Sequence, residues 1–204
     1  MDKLIVLCTL VPLFILRRKK YHFTWLQMIA IFVAILMSGF LGSKVTGYNL
    51  RQYSAIIVDT VAMAILLIFI KKRQIFDYLS LIIALSCCTG KFPCLYYGCC
   101  AGRMVQLGNR IAFTFPSQIA EIAALAIVFV LLSRFEKSGK YTGRLWPIFM
   151  VMYGIERFLA DLMRAGARQR LYLGMTEGEA GSLLVFMIGV AWLAILKRKE
   201  KTTR

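Results

Sequence analysis

The chain has 204 residues, 59% of them hydrophobic, with a mean hydropathy of +0.69, which excludes an ordinary soluble domain and points to a polytopic membrane protein. A formal charge of +16 would suit nucleic acid. The positive residues, however, lie in short blocks bordering hydrophobic runs, the pattern of cytoplasmic loops rather than of a nucleic-acid interface.

Seven hydrophobic segments can be placed in chain order: residues 4–16, 23–42, 53–70, one starting near Phe76, then 117–133, 145–163 and 180–196. The first is short for a bilayer that needs about 20 apolar residues. Basic blocks at 17–20, 71–73, 134–144 and 197–204 hold well over half of the 26 Lys and Arg residues. With the N-terminus outside, all four fall on the cytoplasmic side, together with the C-terminus. Residues 43–52, 101–116 and 164–179 are then outer loops. No polar region is long enough for a second core, so residues 1–204 are expected to form a single integral membrane domain, an all-α polytopic bundle of about seven transmembrane helices. The first apolar run has no positive n-region and no Ala-x-Ala-like site after it, so it is expected to be retained rather than cleaved. Trp25, Trp146 and Trp192, near segment ends, are expected to anchor at the interfaces, and His22 to sit at the cytoplasmic edge.

Three polar constellations do not belong in lipid, and all map to the outer half of the bundle. The first is residues 90–103, where Lys91 and Arg103 bracket two glycines, a proline and Cys94, Cys99 and Cys100. This stretch is expected to be irregular and to floor a pocket, since such backbone is tolerated at membrane depth only where protein buries it or it lines a wet cavity. The second opens the fifth segment, where Gln118 and Glu121 are three residues apart and share a helix face. The third is Tyr153, Arg157, Asp161 and Arg164, which at 100° per residue fall within roughly 80° of one another and so form one stripe facing the bundle interior. An i,i+4 pair of Arg157 with Asp161 could simply neutralise itself and join helices. Counted together, Lys91, Arg103, Arg157 and Arg164 outnumber Glu121, Glu156 and Asp161, which suits an anionic phospholipid headgroup.

The six cysteines do not suggest a metal. Cys94, Cys99 and Cys100 follow a C-x4-C-C spacing with no histidine nearby, which is not a zinc pattern. Close packing around small residues is the plain explanation, with a disulfide as the alternative. No cofactor is expected.

The order G-[RK]-x-x-C-x-x-x-G-C-C-x-G, P-[ST]-Q-x-x-E and Y-x-x-x-R-F-x-x-[ED]-x-x-R, found at residues 90–102, 116–121 and 153–164, resembles the prolipoprotein diacylglyceryl transferase family, in particular its shorter, cysteine-containing branch. The likeness runs from about residue 53 to the end of the last segment. It implies a seven-span bundle in a bacterial-type plasma membrane, N-terminus outside. It also implies transfer of the diacylglyceryl group of phosphatidylglycerol onto the lipobox cysteine of a preprolipoprotein. Its motif residues fall at Lys91, Arg157 and Asp161 as the catalytic set. Tyr53, Cys94, Gly98, Cys99, Arg103, Gln118, Glu121, Tyr153 and Arg164 would line the substrate site. Lys91 stands where the family carries arginine, Cys94 where longer members carry asparagine, and Cys99 where they carry glutamate. Asp161 replaces the usual glutamate, and the family's histidine falls near Tyr53. Two other functions remain open on these departures: a paralogue moving another lipid-linked group, and a non-catalytic lipid-binding or thiol-redox membrane protein.

Overall fold

The computed structural model describes residues 15, 20–45, 56, 60–62, 64, 65, 74–98, 100–107, 111–164 and 174–202. Tyr53, Cys99 and nearly all of the expected first and third segments lie outside the described residues.

Helix α1, Trp25–Val45, starts at a reciprocal cap: the Thr24 amide donates to Gln27 Oε1 (3.0 Å) and the Gln27 amide to Thr24 Oγ1 (3.3 Å), satisfying two otherwise orphaned donors. Helix α2, Gln74–Thr89, is buried without a break from Ile75 to Ala84. A helix apolar on all sides belongs in the middle of a bundle, and α2 packs on two of the later long helices, α4 (Ser117–Ser138) and α5 (Leu145–Met163). Helix α6, Glu177–Thr202, lies along α5. Gln74–Tyr97, Ser117–Ser138 and Glu177–Thr202 are each long and apolar enough to cross a membrane. Helix α5 is of similar length but carries Glu156, Arg157 and Asp161 in its second half.

The α5–α6 seam depends on small residues. A Cβ at Gly154 would come within 2.8 Å of Phe186 Cβ and 2.9 Å of the Ser182 carbonyl, and one at Gly189 within 3.0 Å of the Pro147 carbonyl. Such close backbone approach is how helices associate where lipid removes the hydrophobic drive. Along the inner face of α5, Trp146, Phe149 and Tyr153 stack in sequence, with ring centroids 5.3 and 5.5 Å apart.

Three expectations need correction. Residues 90–103 are not irregular throughout: Phe92–Tyr97 forms a short helix, α3, with Pro93 in its first turn and Gly98 ending it at φ 63°. Proline at a helix start loses no hydrogen bond, and glycine adopts the left-handed ending without strain. Residues 101–116, expected as a loop, contain an antiparallel hairpin in which β1 (Met104–Leu107) pairs with β2 (Ile111–Thr114), Met104 opposite Thr114. The bundle is therefore mostly helical rather than wholly so. Trp146 is not an interface anchor. It is fully buried, and its indole N–H donates to Thr60 Oγ1 (3.2 Å). Trp25 is exposed, whereas Trp192 packs edge-on against Phe76.

The described parts of three basic blocks, at Lys20, 134–144 and 197–202, gather at one end, and the block at 71–73 lies outside the described residues. There Lys20 lies 3.6 Å from Glu136, Arg144 pairs with Glu200, and Asp77 accepts the backbone amides of Gly143 (2.5 Å) and Leu145 (3.0 Å). His22, exposed, sits at the same end. The second cluster of charges, described next, lies at the other end of α4 and α5.

Candidate functional site

The site forms where three chain breaks meet. Helix α2 ends at Thr89 and the chain turns through Gly90, whose Cβ, if present, would lie 2.9 Å from the Ser86 carbonyl. This tight turn sends the Lys91 side chain inward, and only 6% of the residue stays exposed. Helix α4 begins at Ser117, whose hydroxyl donates to the Cys100 carbonyl (2.6 Å) and so fastens the cysteine segment to the start of α4. One turn on, Glu121 points into the bundle, 3% exposed. Helix α5 ends at Met163, and Arg164 folds back, held by a bridge to Gly102.

Glu121 is the hub. Lys91 Nζ lies 2.5 Å from its Oε2, and Arg157 donates to the same oxygen at 3.1 Å. Arg164 grips both oxygens, Nε to Oε1 at 2.8 Å and an Nη2 to Oε2 at 2.7 Å, the forked geometry that arginine alone provides. Asp161 closes the ring, 3.5 Å from Arg157 and 3.2 Å from Arg164. Three cations and two carboxylates thus form one buried network with one positive charge in excess. Such a network is poor evidence of stabilisation, because desolvating each ion costs several kcal/mol that mutual attraction only about offsets. An uncompensated buried cation is better explained by an anionic ligand.

Gly178, at the start of α6, sits directly over the Asp161 carboxylate, and a Cβ there would overlap Oδ2. Only a glycine there leaves room for the carboxylate beside the arginines. Beside the network, a cavity of about 340 Å³ opens between α4 and α5, lined mainly by apolar residues such as Ala124, Ile127, Ile155 and Leu159, with Glu121 and Glu156 among its walls. This is the low end of small-ligand sites, about 300–1,000 Å³.

The sequence stripe holds: Tyr153, Arg157, Asp161 and Arg164 are all buried. Lys91, Arg157 and Arg164 meet on one carboxylate, as the three motifs imply. Gln118 is half-buried one turn before Glu121. Arg103 does not join the network. It is exposed, its Nε donates to the Arg164 carbonyl (3.1 Å) and its amide to the Met163 carbonyl (2.9 Å), so it holds the end of α5. Cys94 is half-buried in α3, and Gly98 ends that helix at the surface. Cys87, Cys88, Cys94 and Cys100 form no disulfide with one another. No group of three or more potential metal ligands occurs among the described residues. Gly178 has no place in the sequence-derived site, and Glu156 enters it only in the count of charges, without a role. The first gives no sequence signal, whereas the second is an acid next to Arg157.

A family model for prolipoprotein diacylglyceryl transferase matches residues 46–195. The chain belongs to that family. It is similar to the phosphatidylglycerol–prolipoprotein diacylglyceryl transferases of Ehrlichia ruminantium (32% identical over 100 residues, 47% of this chain and 39% of the relative), Clostridium tetani (25% over 165 residues, 72% and 64%) and Campylobacter hominis (25% over 177 residues, 81% and 63%). The chain thus spans between two fifths and just under two thirds of the length of these relatives. The family match covers Lys91, Glu121, Arg157, Asp161 and Arg164, so the whole buried network of this prolipoprotein diacylglyceryl transferase family member lies inside it.

Proposed function

We propose that this protein is a transferase that moves the diacylglyceryl group of phosphatidylglycerol onto the thiol of a lipobox cysteine in a preprolipoprotein, at the outer side of a bacterial-type plasma membrane. In this reading the chain is a multi-pass bundle of seven spans, its N-terminus outside and its basic end in the cytoplasm. The observation that carries the reading is the excess positive charge around Glu121. Within that network, with Glu156 standing outside it, one phosphodiester anion balances the excess.

The reaction breaks the bond between a glyceryl carbon and a phosphate oxygen while a thiolate sulfur takes that carbon. The leaving phosphate gains a negative charge, so donors fixed on it lower the barrier. A guanidinium carries five N–H donors and an ammonium three, so Lys91, Arg157 and Arg164 can keep Glu121 while holding the phosphate. In the proposed site Arg157 and Lys91 bind that phosphate, and Asp161 orients Arg157. Glu121 keeps the three cations together in the absence of lipid. Tyr153, Gln118, Cys94, Gly98 and Arg103 shape the surroundings, and Tyr53 and Cys99 lie outside the described residues. The apolar cavity between α4 and α5 accommodates the hydrocarbon side of the lipid.

Lys91 in the place of the family's arginine, with Cys94 and Cys99 nearby, favours one second reading, a paralogue acting on another lipid-linked donor. A single assay separates the two. The purified protein is placed in phosphatidylglycerol nanodiscs with a lipobox peptide, and glycerol phosphate release is followed alongside the peptide's mass. The proposal expects stoichiometric glycerol phosphate and a diacylglyceryl adduct. Absence of both, with turnover on another anionic lipid, would establish the paralogue reading instead.

A further inference from the structure

Glu156 lines the cavity beside the network, yet the network leaves it out. It is 9% exposed, and neither carboxylate oxygen has a hydrogen-bond partner among the described residues. No ion pair joins it to the cations that hold Glu121 and Asp161. It lies next to Arg157 in the chain and lines the cavity between α4 and α5 together with Glu121. A buried polar group without partners is costly and rare, so each instance calls for an explanation. Ile155 and Leu159 on the same helix lie exposed on the flank of that cavity, and a neutral residue at 156 would pack there without the cost.

The proposed transfer needs a base. The sulfur attacks as thiolate, not thiol, and it must approach the glyceryl carbon from the side opposite the departing phosphate oxygen. A base on the phosphate side is therefore misplaced. Glu121 and Asp161 are embedded among the cations that would hold the phosphate. Glu156 is not. His22, the only histidine, sits at the far end of the bundle.

We propose that Glu156 is the catalytic base: the acceptor cysteine meets the lipid at the Glu156 edge of the cavity between α4 and α5, and its thiol proton passes to the Glu156 carboxylate. The inference rests on the transferase reading above. In the step, the S–H proton goes to Glu156, and sulfur bonds to the glyceryl carbon. The bond from that carbon to the phosphate oxygen breaks, its electron pair leaving with glycerol phosphate. The phosphate gains one negative charge as Glu156 loses one. The net charge of the buried site stays constant, which removes the main electrostatic cost of making a thiolate in a membrane. When the product leaves, Glu156 returns its proton to the phosphate or to water.

The test is Glu156→Gln in phosphatidylglycerol nanodiscs with the lipobox peptide, assayed from pH 6 to 9. At pH 7 kcat should fall about 100-fold, a typical general-base contribution, while the KM for phosphatidylglycerol stays unchanged. The variant's rate should then climb about tenfold per pH unit as the free thiol ionises toward its ordinary value of about 8.5, while the wild-type rate rises no more than about threefold from pH 7 to 8. A wild-type kcat in Glu156→Gln, or a reduced rate without that slope, overturns the assignment. Should Glu156→Gln not fold, Glu156→Asp decides. A base withdrawn by one methylene lowers kcat at unchanged KM and keeps the shallow wild-type profile, whereas an unchanged kcat refutes the role. Wild-type protein that transfers nothing from phosphatidylglycerol overturns the transferase reading and Glu156 with it, an outcome distinct from failure of the variant alone.

Discussion

Two charged clusters stand at opposite ends of the same helices, and they are built on different rules. At the basic end, carboxylates are met largely by neutral donors. Asp77 accepts two backbone amides, and Glu136 accepts the Tyr21 hydroxyl at 2.7 Å with Lys20 half-exposed nearby. These contacts tie the Gly139–Arg144 connection and the N-terminal aromatic residues to the bundle, and each anion is balanced where it stands. At the other end the two carboxylates inside the network are outnumbered by its three buried cations, and Glu156 stays outside the pairing. The first arrangement is complete without a ligand, and the second is not. Polar groups inside a membrane protein therefore divide by what satisfies them, rather than by how deeply they are buried.

That contrast can be broken most sharply at Arg157. Replacing it with Ala removes the excess charge and should lower transfer about 10²–10³-fold, the scale seen when a donor to a developing anion is deleted. Circular dichroism should show the protein still helical, because Lys91 and Arg164 continue to hold Glu121. Gly178→Ala comes next. The new methyl displaces Asp161 from its place against the arginines, and kcat should fall about tenfold, about 1.4 kcal/mol of transition-state stabilisation, with a smaller change in melting temperature. Lys91→Arg should be tolerated, with initial rates within about threefold of wild type or above it, since the charge remains and a fork replaces a point. Asp77→Ala sharpens the comparison from the other side. Losing a charged acceptor of two buried amides should reduce stability by about 2–5 kcal/mol, read as a drop in melting temperature. The turnover of the protein that remains folded should not change. A large rate defect there would mean the basic end is coupled to the site.

Most of this division could be read from the sequence, for reasons that differ from residue to residue. The α5 stripe follows from helical periodicity alone, because Tyr153, Arg157, Asp161 and Arg164 have only one direction in which charge is tolerated. The α5 boundaries at Leu145 and Met163 agree with the apolar run. The meeting of Lys91 with Glu121 and Arg164 could not be read that way, since it depends on two turns whose course is set by Gly90 and by the Ser117–Cys100 bond. Arg103 has the same charge as its neighbours but spends its donors on the carbonyl end of α5, a distinction that composition does not carry. Helix α3 went unseen because Pro93 and Gly98 signal a break when counted, yet they start and stop one turn of helix when placed. Trp146 was misassigned because a tryptophan near a span end is as much a core residue as an anchor until its partner, here Thr60, is known.

The measurement that bears most directly on the account is an electron cryomicroscopy structure of the protein in phosphatidylglycerol nanodiscs. The account predicts a lipid phosphate within about 3 Å, hydrogen-bond distance, of Lys91 Nζ and the Arg157 guanidinium, with acyl density entering between α4 and α5. A well-resolved lipid whose phosphate rests instead among Lys20, Arg144 and the other basic-end residues, leaving the Glu121 network untouched, would contradict it.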